Sequence, residues 1–72
     1  MKPTATEVVR SYVASASTFV DRTEVDCFAK DQLEFEKISY DEFVELLEAI
    51  QQIFGEHTFA RVNENGEVEH ND

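Results

Sequence analysis

From Ile38 to Ala60 the chain contains no lysine and no arginine. Over all 72 residues, six basic side chains face sixteen acidic ones, a net charge of −10. Such a surface repels nucleic acid and anionic lipid and attracts basic partners, although acidity also serves solubility. Cysteine occurs once, at Cys27, so no intramolecular disulfide can form and a cytoplasmic setting is expected. Acidic neighbours give Cys27 the opposite of the electropositive setting that a nucleophilic cysteine needs, so it is expected to be a small core residue. The two glycines are isolated and the candidate helix starts carry acids, which argues against a phosphate cradle. No apolar run approaches the ~20 residues of a membrane-spanning helix. The opening MKPTATEVV lacks the continuous apolar segment of a secretory signal. The two histidines are His57, just after a helix end, and His70, near a terminus expected to fray beside Glu69 and Asp72. Those ligands are too few and too loose for a metal site. No carboxylate pair stands out as a desolvated general acid, so no catalytic residue, metal or cofactor is expected.

What is present suits one small domain. A chain this short buries only about 60–65% of its unfolded surface, so its core is small and its stability marginal. The clearest element is a helix over 39–55. Ser39 and Glu42 make a capping box, Phe43, Leu46, Leu47, Ile50, Ile53 and Phe54 keep three- and four-residue steps, and Gly55 supplies a left-handed cap. A second capping box, Thr4 with Glu7, opens a helix expected over about 6–21, with Val8, Val9, Tyr12, Val13, Ala16, Phe19 and Val20 on one side. Its β-branched and serine content is high, so packing on the 39–55 helix must stabilise it.

Residues 21–37 admit two readings. Val25, Cys27, Leu33 and Phe35 alternate as in a hairpin closed by residues 29–32. Val25, Phe28, Ala29 and Leu33 also share one broad helical face. The absence of glycine and proline favours the helix. After Gly55 the period becomes two. Asn63-Glu64-Asn65-Gly66 suits a type I turn with a glycine bulge, which sets Val62 opposite Val68 and Arg61 opposite Glu69. The expected fold class is α+β and mostly helical, with two or three packed helices followed by a C-terminal β-hairpin. Residues 1–3 and 71–72 are expected to fray.

Two partial resemblances bear on function. Asp31–Glu42, DQLEFEKISYDE, followed by FVELLEAI, resembles the second half of an EF-hand. Ile38 stands at the central aliphatic position and Glu42 at the twelfth. Leu33 and Phe35 fall where that family has ligand oxygens, and Glu36 where it has glycine, so the resemblance implies a degenerate module without calcium. In size and charge the chain also resembles the DNA-mimic inhibitors among phage-encoded anti-restriction and anti-CRISPR proteins.

Ten of the sixteen acids fall between Asp21 and Glu48, which concentrates the charge on the middle of the chain. Glu45 and Glu48 gain nothing from the helix start, and Asp41 with Glu45 is a like-charge pair costing roughly 0.2–0.5 kcal/mol. A helix tuned for stability alone would carry lysine at Ala49 or Gln52 and a cation in its last turn. Carboxylates four and three residues apart rise about 6 and 4.5 Å along a helix, a spacing able to occupy a basic groove made for phosphates about 3.4 Å apart. The expectation is therefore a non-enzymatic module binding a larger protein with a basic surface, such as a nucleic-acid-binding protein. The binding residues would be Glu45 and Glu48 first, then Asp41, Glu34 and Glu36. No direct contact with nucleic acid or membrane is expected. The alternative is an assembly subunit or homodimer joined through apolar helix surface around Tyr12, Phe19 or the hairpin aromatics.

Overall fold

A computed structural model describes residues 3–71 and shows an α+β, mostly helical fold. Helix α1 (Ala5–Ala14) opens with the expected capping box: Glu7 N–H donates to Thr4 Oγ1 and Thr4 N–H to Glu7 Oε1, each at 3.2 Å. It does not continue to Asp21. Ser15 caps it, with its Oγ donating to the Tyr12 carbonyl at 2.7 Å. Serine and threonine offer the backbone such local alternatives, and Ser15, Ser17 and Thr18 crowd this segment. The chain then extends into strand β1 (Val20–Asp21), which is absent from the expected fold. Val20, 3% exposed, reaches the core from this strand instead of from a helix face.

Residues 22–34 are helical, which decides against the hairpin reading. In α2 (Arg22–Glu34) the Asp21 carboxylate caps the start, accepting from Thr23 N–H at 2.8 Å. The end is a Schellman turn. Lys37 N–H donates to the Gln32 carbonyl at 2.9 Å, Glu36 N–H to that of Leu33 at 3.0 Å, and Glu36 takes φ 58°. Because Asp31–Glu34 belong to α2, the EF-hand-like stretch does not form a twelve-residue loop. Cys27, expected in the core, is exposed on the outward side of α2. Val25 and Ala29 are the residues this helix buries.

Helix α3 (Tyr40–Phe54) has the expected Ser39–Glu42 box, with bonds of 3.0 and 3.2 Å. It packs on both α1 and α2 and is the centre of the core, with Ile50 and Phe54 almost wholly buried. Gly55 does have positive φ, but at φ 59° and ψ −124° it starts a type II′ turn closed by His57 N–H to the Phe54 carbonyl at 3.0 Å. Ala49 is buried, so the lysine that sequence logic would put there has no room.

Strands β2 (Phe59–Val62) and β3 (Val68–Asn71) form the expected hairpin, Val62 opposite Val68 and Arg61 opposite Glu69. Asn63 orders its turn: the side-chain oxygen accepts from Asn65 and Glu67 N–H at 2.9 and 3.0 Å, and its carbonyl accepts from Gly66 N–H at 3.0 Å. The antiparallel sheet runs β1-β2-β3. Asn71 pairs with Phe59 and is therefore not a loose end. The fraying expected at residues 1, 2 and 72 lies outside the described residues.

Candidate protein-docking face

At about 100° per residue, Asp41, Glu45 and Glu48 fall within a sector of α3 roughly 60° wide. All three are exposed. The buried stripe of Leu46, Ala49, Ile50 and Ile53 is centred about 120° around the helix from this row. Glu42 is turned to the capping box and does not belong to it. Glu34, at the end of α2, and Glu36, in the Schellman turn, are exposed on other elements. No hydrogen bond or ion pair joins them to the α3 row. The structure thus brings together three of the five expected binding residues.

The arginines are committed elsewhere. Arg10 donates to the Gly66 carbonyl at 2.5 Å. Arg61 holds Glu69 in an ion pair and lies 5.1 Å from the centre of the Phe19 ring. Arg22 donates to the Gly55 carbonyl at 2.8 Å and to Gln51 Oε1 at 2.7 Å. It supplies the cation that the last turn of α3 lacks in sequence, delivered from the start of α2. Among the described residues, no lysine or arginine is within ion-pair distance of Asp41, Glu45 or Glu48.

Hydrogen bonds from Arg61 and then Asn63 hold the Glu69 carboxyl below the usual carboxylate range. Burial, then the charges of Glu24, Asp31 and Cys27, push the Tyr12 phenol up. Tyr12 packs on Phe28 with ring centres 4.6 Å apart and planes tilted by 35°, joining α1 to α2.

The histidines are better ordered than their positions suggest. Their rings stack at 4.2 Å, and His70 Nε2–H donates to the Ile53 carbonyl at 2.8 Å, closing the end of α3. Among the described residues, no three His, Cys, Asp or Glu side chains are placed to hold a metal. No helix among them is long and apolar enough to cross a membrane.

Beside the acidic row, α3 shows an apolar one. Tyr40 is 67% exposed, Val44 36% and Leu47 37%. Sequence reasoning put Leu47 in the core and passed over Tyr40 and Val44. Their four- and three-residue spacing was the available signal, masked by the stronger stripe beside it. A groove of about 500 Å³ opens on the other flank of the acidic row, lined by Ala5, Val8, Ile38 and Leu46 with Glu42 and Glu45. Comparison with protein-family models, with curated proteins and with solved structures finds no match, so this face is read from its own geometry.

Proposed function

We propose that this chain is a non-enzymatic binding module whose α3 covers a basic patch on a larger protein. The observation that carries this reading is the single row of Asp41, Glu45 and Glu48, exposed and without an intramolecular cation among the described residues. A helix that tolerates like charges four residues apart, while Arg10 and Arg22 donate to carbonyls elsewhere and Arg61 pairs with Glu69, leaves its counter-charge to another molecule. Where the partner's basic patch serves nucleic acid, the row occupies it in place of phosphates and the outcome is competitive inhibition, as in a phage-type DNA mimic. Direct binding to nucleic acid or to an anionic membrane is opposed by a net charge of −10.

The test is partner capture by the immobilised chain at low salt, compared with the Glu45→Gln/Glu48→Gln variant. The captured basic protein should bind the variant at least about tenfold more weakly, with the loss mainly in association rate, while the variant melts at the same temperature or slightly higher. Equal affinity for both proteins would remove the row from consideration. The assembly reading has a different basis. Tyr12, Phe19 and Phe59 are half-buried, so apolar surface for a homodimer is on α3 and not on α1. Self-association that persists in high salt would favour it.

A further inference from the structure

All the large apolar side chains that the described residues expose lie between Phe35 and Leu47. Phe35, 68% exposed, sits at the C-cap of α2, and Tyr40, Val44 and Leu47 follow along α3. A contact made only of charge, such as one copying a phosphate backbone, has no use for a clustered aromatic and aliphatic surface. Residues 40, 44 and 47 are spaced four and then three apart, which is the spacing of a coiled-coil seam. In that frame Asp41 and Glu48 take the flanking position on one side of the seam. The positions on its other side, Phe43 and Ile50, are packed into the protein's own core. The seam therefore carries carboxylates on its open flank only.

We propose that the occupant of this face is one basic amphipathic helix of the partner protein, lying along α3. Its apolar seam rests on Tyr40, Val44 and Leu47, and its lysines or arginines meet Asp41 and Glu48. The proposal rests on the protein-binding reading above and specifies what that partner presents. A helix fits because it offers parallel apolar and basic rows on one side, and the two rows of α3 each rise about 10.5 Å. A single extended strand turns alternate residues to opposite sides and offers one row only. A second copy of this chain fits poorly. Antiparallel pairing through the seam would set Asp41 against Glu48 of the other copy, and parallel pairing would need flanking positions that are already buried. Tyr40 is the most exposed of the seam residues and an aromatic of the type that anchors interfaces. Arg22, holding Gln51, marks where the seam ends, because a basic helix continuing past that point would meet a like charge.

The test uses the full chain and two synthetic peptides of about 18 residues with identical leucine and lysine content. One has leucines at seam spacing flanked by lysines, and the other has the same residues in an order that makes no apolar face. Binding is read by fluorescence anisotropy at low salt and the site by backbone amide shifts. The patterned peptide should bind at least about tenfold more tightly than its scrambled partner, with shifts centred on Tyr40, Val44, Leu47 and Glu48. That advantage should disappear in Val44→Ser/Leu47→Ser. Tyr40→Ala, at the most exposed seam position, gives the same readout with the least risk to the fold. Equal binding of both peptides would overturn the helix proposal and leave the acidic row intact as a binding surface. No binding of either would overturn both readings. A dimer stable in high salt and split by the same substitutions would assign the seam to a second copy and overturn the proposal.

Discussion

Glu36 holds φ 58° at the point where the Schellman turn leaves α2, a backbone region that costs an L-residue with a Cβ about 1 kcal/mol relative to glycine. The side chain is exposed and, among the described residues, makes no hydrogen bond or ion pair that would offset this cost. Glu36→Gly should therefore stabilise the fold by about 1 kcal/mol, raising the midpoint of a thermal melt by roughly 4–8 °C. A lower midpoint would mean that the turn is not the one described. Glu69 offers a second residue-scale measurement. Its carboxyl is held below its usual value by hydrogen bonds from Arg61 and Asn63. A depressed folded-state value means that the pair adds stability above the ordinary carboxylate range and loses it as pH falls through the folded value. Urea unfolding of Glu69→Gln and the parent should differ at pH 7 and converge toward pH 3. A gap that stays constant with pH would show that the pair is not what Glu69 contributes. Both side chains are exposed by about 40%, so the gap at pH 7 is expected to be small.

At the scale of elements, what was legible in the sequence were signals that need only a few neighbouring residues. The Thr4–Glu7 and Ser39–Glu42 boxes fixed two helix starts, and Asn63 with Gly66 fixed the hairpin register. Those motifs stabilise locally whatever the rest of the chain does. The misses share a cause, which is a partner distant in sequence. Val20 kept helical spacing with Val13 and Ala16, yet it is drawn into β1 because Ala60 is there to pair with. Cys27 sides with Val25 only in the hairpin reading; as a helix packed on α3 the segment buries Val25 and Ala29 and leaves Cys27 outside. The end of α3 read as uncompensated because its cation, Arg22, lies 33 residues before Gly55, with two helices and a turn between them. The acidic row of the candidate site was legible from the spacing of Asp41, Glu45 and Glu48. The seam beside it was not, since exposure of Leu47 depends on how α1 and α2 flank α3. Arg22→Ala tests the long-range cap. It removes charged hydrogen bonds to the Gly55 carbonyl and to Gln51, and should cost about 1–2 kcal/mol in urea unfolding. Partner binding through Glu45 and Glu48 should be unchanged. A stability loss below about 0.3 kcal/mol would show that water caps the helix as well as Arg22 does.

For the whole molecule, a small core and a large net charge act together. Phe54 is fully buried at the meeting point of α3 with the rest of the core, and Phe54→Ala should cost about 3–5 kcal/mol. That approaches the whole stability of a domain this size, so the variant should be largely unfolded by far-UV circular dichroism at 25 °C. Charge contributes in the opposite direction to the core. With a net charge of −10 and one ion pair between described residues, self-repulsion outweighs intramolecular attraction. Screening shrinks from a range of about 30 Å at 0.01 M salt to about 8 Å at 0.15 M. Added sodium chloride should therefore raise the thermal midpoint of the isolated chain. The same screening should weaken its complex with a basic partner, because there the charges attract. Salt must then move fold stability and partner affinity in opposite directions. In Glu45→Gln/Glu48→Gln, both slopes should become shallower together, since the same carboxylates repel one another within the chain and attract across the interface. A variant that flattened the stability slope but left the affinity slope unchanged would mean that the row contributes to self-repulsion and is not the surface that meets the partner.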